Sequence, residues 1–257
     1  MELVIICFAA FFTATLTFFS GFGLGTILTP VFLLFFPVDI AIALTGVVHF
    51  TNNLFKIGLV GKSADKGVLL RFGLPAILAS FAGAVVLINM VDLPALLKYN
   101  LGSKVMEVTP VKLAIGLLLL VFALLEFSPS FKKVQFERDK LICGGLISGF
   151  FGGLTGIQGA IRSAFLIKSG LSKEAYIGTA VVIASLVDLT RLGVYATRFS
   201  ATNLQDNLPV LLAATLSAIA GAYLGKKMLK KVTLRNIQIL VAIMLVIIAL
   251  ALIAGVI

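Results

Sequence analysis

The fold is decided by the stretch Leu3–Val38, LVIICFAAFFTATLTFFSGFGLGTILTPVFLLFFPV, which runs for 36 residues without a charged side chain. A helix that crosses a bilayer needs about 20 mostly apolar residues. This stretch is therefore too long for one crossing and too short for two crossings with a turn. Gly21, Gly23 and Gly25 interrupt it, and Pro30 follows. We predict a helical hairpin broken at the glycines, an irregularity tolerated at membrane depth only inside protein or beside a cavity.

The composition of the whole chain excludes most other classes of protein. Of its 257 residues, 60% are hydrophobic and 12% are charged, and the mean hydropathy is +1.14. Soluble domains carry about 25% charged residues, so a soluble enzyme, a disordered chain and a disulfide scaffold are excluded. The net charge of +10 fits basic cytoplasmic loops better than nucleic-acid binding, because no polar segment is long enough for a basic face. The expected partner is the lipid bilayer, and no nucleic acid is expected.

The apolar pattern restarts near residue 141, which indicates an internal duplication. Asn53 and Lys56 match Asp188 and Arg191 at a constant offset of 135 residues. We predict an N-terminal repeat (1–127), a cytoplasmic linker (128–140) and a C-terminal repeat (141–257). Each repeat is a glycine-broken hairpin followed by three transmembrane helices, a kind of duplication common in transporters.

The charges of the loops favour an inverted second repeat. Cytoplasmic loops carry an excess of Lys and Arg, and three loops here are basic: 62–71, 128–140 and 226–235. All three share one side if each half opens with a hairpin, and 92–109 and 198–206 then face outward. A single crossing over 141–168 would instead put loop 226–235 outside. The predicted fold class is an all-α polytopic membrane protein of two inverted repeats.

The glycine breaks are the first candidate site for a ligand. Exposed backbone N–H groups and the positive end of the following helix attract anions. In the sequence these positions are Gly23, Gly25 and Thr26 in the first half, and Gly156, Gln158 and Gly159 in the second. The alternative is that the glycines only allow helices to pack closely. Their duplication at a break favours the site, and we expect both breaks to meet near the midplane.

A polar stripe is the second candidate. Thr45, His49, Asn52 and Lys56 lie on one face of a helix, and Asn53 flanks them. The second half offers Ser185, Asp188 and Arg191. Ionisable residues within spans usually face a cavity or one another, so we expect this set to surround the bound anion.

Several roles stay open within that stripe. Asp188 and His49 are candidates for coupling transport to protons. Lys56 either binds the anion or extends to the membrane surface, Asp188 and Arg191 either act or neutralise each other, and His49 either carries protons or packs. Arg162 is a further candidate anion ligand, or else it lies at the cytoplasmic mouth.

Two segments resemble the TauE/SafE family of sulfite and organosulfonate exporters. They are SGFGLGTILTPVFLLFFPVDIAIALTGVVHFTNNLFK (20–56) and GGLISGFFGGLTGIQGAIRSAFLIKSGLSKEAYIGTA (144–180). The resemblance spans nearly the whole chain and implies a multi-pass inner-membrane carrier of sulfur-containing anions. It puts the family's glycine breaks at Gly23, Gly25, Gly156 and Gly159. Gln158 stands where a glycine is expected, which leaves the identity of the substrate open.

The functional hypothesis is a secondary transporter that exports a small sulfur-containing anion such as sulfite or an organosulfonate. A carrier or channel for another small anion, and a non-transporting assembly protein, are the alternatives. An intramembrane enzyme is disfavoured, because His49 is the sole histidine and no serine is paired with it as a nucleophile requires. Cys7 and Cys143 lack the spacing of metal ligands. We expect no catalytic residue, no metal and no cofactor, and a homo-oligomer is compatible with the sequence.

Overall fold

The computed structural model describes residues 1–18, 23–128, 134–197, 206–228 and 235–257, without the side chains of 126–127, 228 and 235–241. Its elements, numbered in chain order, are ten helices and one β-hairpin. They are α1 (Glu2–Thr17), α2 (Leu24–Leu33), α3 (Val38–Val60), α4 (Lys66–Val91), β1 (Leu97–Leu101), β2 (Lys104–Val108), α5 (Pro110–Phe127), α6 (Leu141–Thr155), α7 (Gly159–Leu166), α8 (Lys173–Ala196), α9 (Leu208–Met228) and α10 (Arg235–Ile253).

Four of these helices, within the described ranges, are long and apolar enough to cross a membrane. They are α3 with the 3₁₀ turn Gly61–Ser63, α4, α8 and α9. Helix α4 is continuous through a π-helical turn at Leu69–Gly73, so it begins earlier than the uncharged run that starts at Gly73. Shorter apolar helices complete the bundle. The prediction of an all-α polytopic membrane protein is confirmed.

Small residues allow the helices to approach closely, as is usual where lipid gives no hydrophobic drive for helix association. Along α6 the glycines recur every four residues, and a Cβ on any of them would overlap the backbone of α4. These glycines are Gly145, Gly149 and Gly153, facing Phe72, Ala76 and Ser80. Gly221 of α9 faces the Phe11 carbonyl of α1 in the same way. The two tightest helix pairs are therefore fixed by glycine positions.

The contacts between helices are symmetric when the halves α1–α5 and α6–α10 are exchanged. Helix α1 packs on α9 as α6 packs on α4, and α3 packs on α9 as α8 packs on α4. In the pairs α3–α8 and α5–α10, each helix packs on its own counterpart in the other half. This pattern is the one expected of a duplicated chain. The inverted orientation and the boundaries at 127 and 140 stay predictions.

The segment 92–109, expected to be an outward-facing loop, contains an antiparallel β-hairpin. Leu101 pairs with Lys104 across a two-residue turn in which Gly102 has a φ of +63°. Glycine at the first turn position with positive φ is typical of tight hairpins. The Tyr99 hydroxyl donates to the Ala254 carbonyl at 2.5 Å, which ties the hairpin to the end of α10.

Candidate functional site

The break in the second half is a three-residue turn between α6 and α7. Helix α6 ends at Thr155, and the φ of +78° at the capping Gly156 lies in the left-handed region that favours glycine. The Ile157 N–H donates to the Thr155 hydroxyl at 3.0 Å, which holds the turn. The Gln158 carbonyl accepts the Arg162 N–H at 3.0 Å and starts α7. The sequence therefore folds locally into a broken helix at the predicted position.

The break in the first half lies directly beside it. Helix α2 starts after Gly23, whose φ is +115°, while Gly21 lies outside the described residues. A Cβ built on Gly25 would stand 3.0 Å from the Gly156 carbonyl oxygen. The structure thus brings the two breaks into contact, although they are 131 positions apart in sequence. Thr26 is buried one residue further along α2.

A buried charged cluster joins the long central helices of the two halves. His49 Nδ1 on α3 lies 2.6 Å from Asp188 Oδ2 on α8. Arg191 donates through Nε to Asp188 Oδ1 at 2.9 Å, and its Nη2 lies 2.9 Å from the same oxygen. Asp188 and Arg191 are both 0% exposed. The Asn53 amide nitrogen lies 3.2 Å from His49 Nδ1, so four of the predicted site residues meet at one place.

The Arg191 guanidinium lies against the second glycine break. A Cβ on Gly156 would be 2.7 Å from Nη1, and a Cβ on Gly46 would be 3.1 Å from Nη2. Gly156 is therefore needed for the guanidinium to reach its place, and Gly46 leaves it close room on α3. Sequence reasoning missed Gly46, since a single glycine in a membrane helix carries no distinguishing signal. Tyr195, one turn beyond Arg191, donates its hydroxyl to the Gly153 carbonyl at 2.5 Å.

Two further cations are buried beside the breaks. Lys56 is 4% exposed, and its Nζ lies 5.5 Å from the centre of the Phe18 ring at the end of α1. Arg162 is 2% exposed in α7. The two charges are near enough to act on each other. Both side chains are therefore enclosed by the protein.

Two buried amide side chains lie next to these cations. Asn52 and Gln158 are 0% and 2% exposed. Among the described residues neither the oxygen nor the nitrogen of either amide has a hydrogen-bond partner. Each unsatisfied buried polar group costs about 1–3 kcal/mol. Such groups indicate a place where a polar ligand or water belongs.

Two other predicted site residues, Ser185 and Gly159, are buried near the cluster but have other roles in their own helices. The Ser185 hydroxyl donates to the Val181 carbonyl of its own helix at 2.9 Å. Gly159 begins α7 and is buried. Among the described residues no group of three or more His, Cys, Asp and Glu side chains could hold a metal ion.

Apolar helices long enough to cross a membrane surround a buried charged cluster, and ionisable residues in such helices are typical of transport proteins. A family model described as Sulfite exporter TauE/SafE matches residues 6–252, and the chain belongs to this family. The resemblance seen in the sequence is thereby confirmed, together with transport across the membrane by a multi-pass protein of the sulfite-exporter type. No curated protein and no solved structure matches the chain.

Proposed function

We propose that the chain is a secondary transporter, not an enzyme, that exports a small sulfur-containing anion such as sulfite or an organosulfonate from the cell across the inner membrane. The observation that carries the proposal is the contact of Gly25 with Gly156 beside the Arg191 guanidinium. At this buried point the two breaks would offer backbone N–H groups and Arg191 would offer a positive charge. Together these groups would replace the water that an anion loses when it binds. Without that compensation, burying the anion would be prohibitive.

The binding site in this proposal follows the two breaks. The backbone near Gly23, Gly25 and Thr26 faces that near Gly156, Gln158 and Gly159, and the start of α7 adds its positive helix end. Side chains complete the site. They are Asn52, Asn53, Lys56, Ser185 and Arg191.

Asp188 and His49 would couple transport to protons. While Asp188 is ionised it neutralises Arg191 at 2.9 Å, so Arg191 offers little charge to an anion. A proton on Asp188 would release that charge, and His49, 2.6 Å from the other carboxylate oxygen, is placed to exchange the proton. Anion binding and proton uptake would then favour each other, as linkage requires.

Ligand binding by the purified protein tests the proposal. A ligand that binds only the folded state raises its apparent stability by RT ln(1 + [L]/Kd). Thermal unfolding is measured with sulfite, sulfate, thiosulfate, organosulfonates and carboxylates. We expect a stabilisation that saturates with at least one sulfur-containing anion. Stabilisation by carboxylates alone would favour the carrier of another anion, and no stabilisation by any of them would overturn the proposal.

Matched variants then locate the site. Lys56→Gln and Arg191→Gln remove buried cations, whereas Lys227→Gln removes an exposed cation near the end of α9, 4.6 Å from the Tyr223 ring. We expect the first two, if folded, to weaken anion binding and the third to leave it unchanged. If both buried replacements kept the affinity within about twofold, roughly 0.4 kcal/mol, the anion would bind elsewhere.

A further inference from the structure

Two threonines of the first half bury hydroxyl groups that have no hydrogen-bond partner among the described residues. Thr29 on α2 and Thr45 on α3 are each 1% exposed. Elsewhere in the bundle, buried hydroxyls bond to the carbonyl four residues earlier in their own helix, as those of Thr17, Thr155 and Ser185 do. A buried hydroxyl without a partner is costly, so the two threonines indicate a place where a polar ligand binds.

The two hydroxyls come from facing positions of α2 and α3. A Cβ built on Gly25 would stand 3.9 Å from His49 Cδ2, so these two residues lie opposite each other. Because the connection 34–37 is short, the two helices run back along each other. Thr29 follows Gly25 by one turn and Thr45 precedes His49 by one turn, so each keeps the face of its helix. The two threonines therefore face each other, one turn nearer the connection.

A proline adds a backbone oxygen to this place. Pro30 follows Thr29 within α2, and it has no N–H to donate to the carbonyl four residues earlier, which is that of Thr26. Every residue of α2 except Ile27 is buried. One carbonyl and two hydroxyl groups thus offer oxygen ligands inside the protein.

The second half differs at the corresponding positions. At an offset of 134 residues, Thr29 corresponds to Ser163 and Thr45 to Thr179. The Ser163 hydroxyl donates to the carbonyl four residues earlier and accepts the Tyr176 hydroxyl, both at 2.9 Å. The Thr179 hydroxyl accepts a backbone N–H just before α4 at 2.8 Å. The protein itself satisfies these hydroxyls in the second half, so a packing role shared by both halves does not explain the first.

We propose that the hydroxyls of Thr29 and Thr45 and the carbonyl of Thr26 bind a sodium ion. Uncharged oxygens suit a monovalent cation, whereas calcium and magnesium sites are built around carboxylates. Backbone carbonyls freed in discontinuous helices are a known way of coordinating sodium in transporters. The inference goes beyond the proposed function, because the binding of an anion at the glycine breaks does not require a cation here.

The charges around the two threonines permit a cation. Helix α2 ends one turn beyond Thr29, and the end of a helix carries partial negative charge. Asp39 lies in the first turn of α3 and offsets the positive charge at its start. Arg191 lies beside Gly46, but Asp188 neutralises it at 2.9 Å. These surroundings therefore do not repel a sodium ion.

Thermal unfolding of the purified full chain in the chlorides of sodium, potassium and choline, at equal ionic strength, tests the proposal. A ligand that binds only the folded state raises its apparent stability as its concentration rises. We expect a stabilisation that saturates with sodium, and an affinity at least about tenfold higher than that for potassium, since facing threonines in an enclosed helix pair favour the smaller ion. Equal stabilities in the three salts would overturn the proposal.

Variants that remove one hydroxyl at nearly constant shape locate the ion. Thr29→Val and Thr45→Val should not lower stability in choline chloride, because the lost hydroxyl has no protein partner. Each should weaken sodium binding by at least about tenfold, whereas Thr29→Ser keeps the hydroxyl and should keep the affinity. Thr51→Val is the matched control on α3, since the Thr51 hydroxyl donates to the Val47 carbonyl at 2.8 Å. Unchanged sodium affinity in folded Thr29→Val and Thr45→Val would contradict the proposal.

Sulfite binding, measured with the potassium salt, keeps this result distinct from the proposed function. Binding of sulfite without any specific effect of sodium overturns the sodium site alone. Binding of sodium without binding of any anion supports the sodium site and overturns the proposed function alone. The salt comparison uses the unmodified protein, so it does not depend on whether a variant folds.

Discussion

Replacing Asp188 by Asn tests whether the buried charged cluster stabilises the folded protein. The carboxylate is 0% exposed, and both of its oxygens are engaged, one by His49 at 2.6 Å and the other by Arg191 at 2.9 Å. Asparagine keeps the shape and removes the charge. Arg191, also 0% exposed, is then a buried cation without its counter-ion.

The expected loss of unfolding free energy is about 3–5 kcal/mol, the usual result of removing one member of a buried ion pair. Arg191→Gln should also destabilise, because it leaves the carboxylate with His49 alone. The double variant Asp188→Asn, Arg191→Gln removes both charges. Its loss should therefore be smaller than the sum of the single losses by about 0.5–3 kcal/mol.

Equilibrium unfolding in mixed detergent micelles measures these values. Asp206→Asn is the matched control, since Asp206 is exposed just before α9 and its replacement should change stability by less than about 0.5 kcal/mol. If Asp188→Asn were as mild as the control, or if the two single losses simply added, Asp188 and Arg191 would not form the stabilising buried ion pair described here.

Three further predictions concern other parts of the chain. Gly153→Leu should lower stability by about 1–3 kcal/mol, because its side chain overlaps the α4 backbone, whereas Gly193→Leu has open space and should be nearly neutral in the same unfolding assay. Cysteine-accessibility labelling should find loops 128–140 and 226–235 on the same side of the membrane, and labelling from opposite sides would refute the inverted repeat. The hydrogen-bonded Lys98 ammonium across the hairpin lowers the pKa of Glu107, so NMR should show its carboxyl titrating below the usual range of a glutamate. The small stability from this pair is present above the usual glutamate pKa and is lost as the pH falls through the lowered pKa.

Much of the architecture was predictable because membrane thickness limits helix length. An uncharged run of 36 residues has to break, and glycines mark where. The spacing of Thr45, His49, Asn52 and Lys56 also fixed their common face, and all four are buried. These inferences need only local periodicity.

The contacts across the bundle were not predictable. His49 and Asp188 are 139 positions apart, and a single sequence does not specify which faces of distant helices meet. The role of Gly46 depends on the same packing. The hairpin at 97–108 could have been predicted in part, because apolar and polar residues alternate over Leu97–Leu101, just before Gly102 and Ser103. That period of two is a strand signal that hydropathy and loop charge do not detect.

Sulfite flux through proteoliposomes with the purified protein tests directly whether the anion passes between the two glycine breaks. Gly25→Val fills the point where the two breaks meet, whereas Gly58→Val, on an exposed face of α3, puts the same side chain into open space. We expect flux above that of empty liposomes for the unmodified protein and for Gly58→Val, and no flux for folded Gly25→Val. Flux at the unmodified rate through folded Gly25→Val would contradict the claim that the anion passes between the two glycine breaks.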